Sequence, residues 1–223
     1  MRRIAIWTGL AVTLLAGVRP AAAQLGVGVK AGTTGVGAEA ALGVGSRLAL
    51  RGSATLFPVE PSGSFSDVDY TVELPSPLFM VGADLYPFGN GFRIMGGLLL
   101  GAGETRLIGE YNGTVDIGGT EYNASELGDL NGLFTTSDAA PFVGIGFGKH
   151  FGRGLGVTLD LGVAFLGDPD LQFSATGPCT QNASCNAELQ AALDREEAAV
   201  QDDLDRYARY YPIVNLGFKV GLF

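Results

Sequence analysis

The chain has 223 residues, 47% of them hydrophobic, with 35 glycines and only 17% charged side chains. That composition excludes a disordered chain and does not suit an ordinary helical enzyme, and the length suits one domain. With 23 acidic against 14 basic residues the formal net charge is -9, which argues against a nucleic-acid-binding face.

The chain begins with Arg2 and Arg3, a short apolar run, and the small residues Ala21, Ala22 and Ala23. This is the pattern of a secretory signal peptide over 1–23, cut after Ala23. The apolar run is shorter than the ~20 residues a spanning helix needs. The mature segment 24–223 loses Arg2, Arg3 and Arg19, and keeps 11 basic residues against 23 acidic ones, a net charge of -12. Charge or glycine interrupts every later apolar run, so no transmembrane helix is expected.

From Leu25 onward the sequence alternates with period two, the mark of strands with one apolar face and one small or polar face. Leu25, Val27, Val29 and Ala31 share a face; Val36, Ala38, Ala40, Leu42 and Val44 continue it beyond a turn signal at Gly32-Thr33-Thr34-Gly35. Further strands are expected over Arg47 to Phe57, Leu78 to Phe88, Phe92 to about Thr105, Pro141 to Phe151, Leu155 to Leu166 and Ile213 to Phe223. The opposite faces carry Lys30, Glu39, Arg51, Asp84, Arg93, Asp160 and Lys219, among glycines and other small residues.

Three short connections, at 43–46, 89–91 and 152–154, alternate with three long ones, at 58–75, 109–139 and 167–210. The first long segment reads as irregular. The second holds a small hairpin over 114–122. The third holds the one clear helical pattern, Asn186 to about Arg209, with a stripe of Leu189, Leu193, Val200 and Leu204. Asn186 is placed to cap it, and the stripe must lie on something: the barrel mouth, the 109–139 segment or a partner helix.

Short turns on one rim and long loops on the other characterise transmembrane β-barrels. Charges exposed to lipid would cost several kcal/mol, of order +2–4 for Arg or Lys at the midplane; inside a closed barrel the acids and bases can pair. The expected fold is therefore all-β: a closed up-and-down antiparallel transmembrane barrel. It has eight strands if the chain turns at Thr33-Thr34, as even parity requires, and ten if the 114–122 hairpin joins the wall.

These residues, with the aliphatic–glycine strands and terminal Phe223, resemble the small bacterial outer-membrane β-barrel proteins of the porin-like, OmpA/OmpW-type group. The segments 32–39 and 84–89 and the acidic helix before Tyr211 look like one branch of it. The resemblance implies an outer-membrane location after export, contact with outer-membrane lipid, and recognition of the C-terminal strand by the barrel-assembly machinery. Phe223 departs from the group's pattern, because the apolar parity of the last strand falls on Phe218, Val220 and Leu222.

No catalysis, cofactor or metal is expected. His150 lies beside a short turn with no serine near it in sequence, which does not suit the Ser–His chemistry of lipid-modifying barrels. The glycine runs lie within strands and precede no helix, so a nucleotide loop is excluded; they leave room for charged side chains in a narrow lumen. Cys179 and Cys185 can form a local disulfide after export. The acidic residues of the helix read as a solvated face. The expected role is structural or interactive, with a plugged interior and loops that can meet an extracellular partner. A narrow channel for ions or small solutes is the alternative, and a lipid-modifying enzyme the third reading.

Overall fold

The structure, a computed structural model, describes residues 24–58, 62–65, 68–111 and 113–222. The expected signal peptide and Phe223 lie outside the described residues. The described residues begin with β1 (Gln24–Gly32), β2 (Gly35–Val44) and β3 (Leu48–Leu56). It leaves for β4 (Ser62–Phe65) and β5 (Val68–Glu73), and returns as β6 (Leu78–Leu85) and β7 (Arg93–Leu100). A second excursion holds β8 (Glu104–Tyr111), β9 (Thr114–Ile117), β10 (Thr120–Asn123), a one-turn helix (Ala124–Leu127) and β11 (Leu130–Thr135). Then come β12 (Ala139–Phe147) and β13 (Gly154–Phe165). A third excursion holds β14 (Asp170–Ala175), a 3-10 turn (Pro178–Gln181) and a long helix (Ala183–Tyr207), before β15 (Tyr210–Gly221) ends the sheet.

Eight of these strands close on themselves in the order β1-β15-β13-β12-β7-β6-β3-β2, every pair antiparallel. Closure pairs the backbone all the way round and leaves no edge. The turn at Thr33-Thr34 exists, with Gly35 at a φ of 92° that favours glycine. The 114–122 hairpin pairs only with itself, so the wall has eight strands.

Side-chain parity follows the pleat. In β15, Val214, Leu216, Phe218 and Val220 are exposed while Ile213, Asn215 and Lys219 are buried. Val27, Val29, Leu50, Phe79, Val81, Ile94, Leu98, Val143, Ile145 and Val157 point outward on the other strands. Such a belt of exposed aliphatic side chains around a whole barrel matches a hydrocarbon solvent, not water.

The long segments differ from their expected form. They are not loops: β4, β5, β8, β11 and β14 make a second, five-stranded sheet that stands beyond the barrel as a crown. The strand expected over Phe92 to Thr105 breaks at Gly101, whose φ is 83°, and β8 continues into this crown sheet. The strand expected to run to Phe151 ends at Phe147, where Gly148 has a φ of 86°. The long helix starts earlier than expected, and Asn182, not Asn186, caps it: its Oδ1 accepts from the N–H groups of Ser184 (3.1 Å) and Cys185 (3.3 Å). The first half of the stripe lies on the crown: Leu189 and Leu193 pack with Ile117, Tyr122, Leu127 and Cys179, while the Leu204 side chain lies outside the described residues. A disulfide joins Cys179 to Cys185 at the helix start.

Leu216→Arg, in the middle of β15, is expected to lower bilayer stability by about 2–4 kcal/mol, while Ser46→Arg in a short turn has little effect. Urea titration of the protein folded into vesicles measures both. Equal tolerance at the two positions would contradict an outward-facing lipid belt.

Candidate functional site

Among the described residues, the buried charged side chains of the barrel strands converge in the lumen. All seven charged residues of the small-residue faces are buried: Lys30, Glu39, Arg51, Asp84, Arg93, Asp160 and Lys219. Four of them form a closed ring. Arg51 on β3 meets Asp160 on β13 at 2.5 Å and Asp84 on β6 at 3.4 Å. Arg93 on β7 lies 3.5 Å from Asp84 and also donates to Asp160. Each carboxylate is thus held by both guanidiniums, and the ring ties four wall strands together across the axis.

Gly146 makes room for it. A Cβ there would run into the Arg93 guanidinium. Arg93 also donates to the carbonyls of Phe147 (2.9 Å) and Gly148, where β12 ends. Fixed dipoles and fixed ions together replace part of the water that these groups give up on burial; the Asp84 oxygens are met by the ion pairs alone.

His150 is the site residue that sequence reasoning misplaces. The period-two pattern puts it at the rim; instead the turn 148–153 folds inward after Gly148, and the ring is only 2% exposed. Its Nδ1 is 2.8 Å from Oε1 of Glu39 on β2, and its Nε2 lies 3.4 Å from Nη1 of Arg51. The same turn drives Phe151 into the lumen, where it packs edge-on against Tyr86 at 5.2 Å and over Ala49. Gly148 at its start and Gly152 and Gly154 at its end, all with positive φ, are the sequence signals for this inward turn.

The two lysines stand apart from the ring. Lys30 Nζ approaches Met80 Sδ at 3.3 Å, and Lys219 Nζ donates to the carbonyls of Phe151 (3.1 Å) and Gly152 (3.0 Å). Above the ring, towards the crown, the lumen turns apolar: Leu78, Met80, Met95, Leu99, Ala140, Phe142, Ala164, Leu166 and Ile213 form one cluster. Three layers therefore stack along the axis: the floor of Ala49, Tyr86 and Phe151, the ionic ring with Glu39 and His150, and the apolar cluster.

Among the described residues, Glu39, His150 and Asp160 bring ligand-type atoms within 4.8 Å of one another. Their charge is already spoken for. Glu39, Asp84 and Asp160 face Arg51, Arg93 and Lys30, so a divalent cation would add two charges with nothing to balance them in a desolvated place. The arrangement reads as an ion-pair lattice. A separate cavity of about 460 Å³ lies where the crown meets the barrel, lined by Glu73, Ser76, Glu104, Arg106, Thr135 and Asp138 among others.

Two solved structures share this architecture, and a third is more distantly similar. Acinetobacter baumannii CarO2 superposes with a TM-score of 0.61 at 20% identity, covering 89% of this chain and 98% of that one. Acinetobacter baumannii CarO gives 0.56 at 17% identity, covering 92% and 100%. A major outer membrane protein from Thermus thermophilus gives 0.45 at 13% identity, covering 90% and 100%. No family model matches the chain, and no curated protein matches it in sequence. At these identities the likeness to the two Acinetobacter proteins shows the fold alone, a closed antiparallel barrel, here of eight strands.

Asp160→Asn leaves Arg51 and Arg93 buried with half their counter-charge. A loss of about 3–5 kcal/mol of unfolding free energy in bilayers is expected. A double-mutant cycle between Arg51 and Asp160 is expected to return a coupling of about 1–3 kcal/mol; additive single effects would contradict the ring.

Proposed function

We propose that the chain is an integral outer-membrane β-barrel of the small, porin-like OmpA/OmpW-type group, exported by the segment 1–23 and acting as a structural and surface-interaction scaffold. The observation that carries this reading is the three-layer filling of the lumen beneath a folded crown. An eight-stranded barrel has an interior just wide enough for side chains, and here those side chains are ion-paired across the axis or packed together. The wall is thus a rigid mount, and the crown sheet with its helix is what it presents. The natural partners are outer-membrane lipid around the belt, the assembly machinery at the C-terminal strand, and an extracellular partner at the crown.

The reading includes no catalytic step. His150 is enclosed between Glu39 and Arg51, and its backbone N–H donates to the Tyr86 hydroxyl at 3.3 Å.

Planar-bilayer recording tests the plug. The folded protein is expected to give no steady conductance, and Phe142→Ala is expected to stay silent because the ionic ring closes the lumen below it. Steady ohmic conductance that changes when Arg51 or Asp160 is neutralised would overturn the scaffold reading in favour of a narrow channel.

A further inference from the structure

Charge is divided unevenly along the barrel axis. The segments 57–77, 101–138 and 167–209 hold 20 of the 23 acidic residues and 4 basic ones. The other three carboxylates, Glu39, Asp84 and Asp160, are enclosed in the lumen. The short-turn rim has the opposite sign. Its turns, 45–47, 86–92 and 148–153, carry Arg47, Lys149 and Arg153 and no side-chain carboxylate. Arg47 and Arg153 are exposed, and Lys149 is partly so.

These cations stand next to strongly apolar surface. Phe88 is 73% exposed and its ring lies 5.9 Å from that of Phe92, which in turn meets Phe147 at 5.7 Å. Leu155, two residues after Arg153, is 86% exposed. The rim therefore changes from aliphatic belt to exposed cations within a few residues, the depth profile of a bilayer passing from acyl chains to headgroups.

We propose that this rim is a collar for the phosphate groups of anionic phospholipids, with Arg47, Lys149 and Arg153 supplying the charge and the Phe88–Phe92–Phe147 cluster supplying the interfacial anchor. The inference rests on the membrane reading above. Arginine pairs with phosphate through two parallel N–H donors, and lysine meets it as a point charge. Basic side chains beside a membrane are drawn to anionic leaflets by about fivefold in association each. The acidic crown is repelled by the same phosphates, so the charge pattern favours one end of the barrel against an anionic leaflet.

The test uses the chain 24–223 refolded into phosphatidylcholine vesicles with trace spin-labelled phosphatidylglycerol or phosphatidylcholine. Electron paramagnetic resonance reads the fraction of each label immobilised at the barrel surface. Phosphatidylglycerol is expected to associate about fivefold more strongly or better. That preference should fall towards one in the Arg47→Gln/Lys149→Gln/Arg153→Gln variant, and in the unmodified protein as salt is raised. It should survive in the crown variant Arg106→Gln/Arg195→Gln. A wild-type protein that immobilises both lipids equally, or a preference that the triple variant or high salt leaves intact, overturns the collar alone. A protein that immobilises neither lipid overturns the membrane reading, and the collar with it.

Discussion

The structure depends on four side chains that share charge across the barrel axis. Arg51, Asp84, Arg93 and Asp160 are all buried, and each contacts two of the others. Removing such ions from water costs several kcal/mol apiece, and a well-packed apolar core is often as stable. What the ring adds is register. Its members come from β3, β6, β7 and β13, and a slip of one residue on any of these strands would turn its charge out into the aliphatic belt. The ring and the belt are two consequences of the same alternation, and each makes the wrong register costly.

The layers on either side protect that ring. Towards the crown, Phe142, Leu99, Met95 and their neighbours shut out water. At the opposite rim the inward turn of 148–153 brings Phe151 and His150 beneath it. With water excluded, the ion pairs gain strength from the low dielectric, and the surrounding carbonyls and the Glu39–His150 contact take up some of the remaining polar demand. A long crown on a narrow wall needs such a base, since the crown sheet and its helix have a separate apolar cluster around Leu189 and Leu193.

Much of the wall was legible in the sequence, for a physical reason. A strand with lipid on one side and a lumen on the other keeps strict period two, so Leu216, Phe218 and Val220 declare one face while Asn215 and Lys219 declare the other. Even the turn at Thr33-Thr34 followed, because a closed antiparallel sheet needs an even strand count. The crown was less legible. Its strands are short, four to eight residues, so their alternation runs over too few positions to stand out from the polar segments around them. Apart from the β4–β5 hairpin, their pairing is between segments far apart in sequence, and nothing local announces it. His150 was missed for a different reason: period-two reading carries a side chain along a strand, but Gly148 ends the strand and redirects the chain. The long helix was found by its stripe, though its cap moved from Asn186 to Asn182 because the disulfide turn feeds it earlier.

Orientation of the two faces is the claim on which the rest stands, and tryptophan placement measures it directly. The chain's single tryptophan, Trp7, lies in the segment 1–23, so the chain 24–223 is a blank background. Tryptophans introduced at Leu216, Phe218 or Val157 should be quenched by lipids brominated along their acyl chains and be insensitive to aqueous acrylamide. Quenching by acrylamide with no response to the brominated lipids would place those side chains in water and contradict the barrel as a membrane-spanning wall.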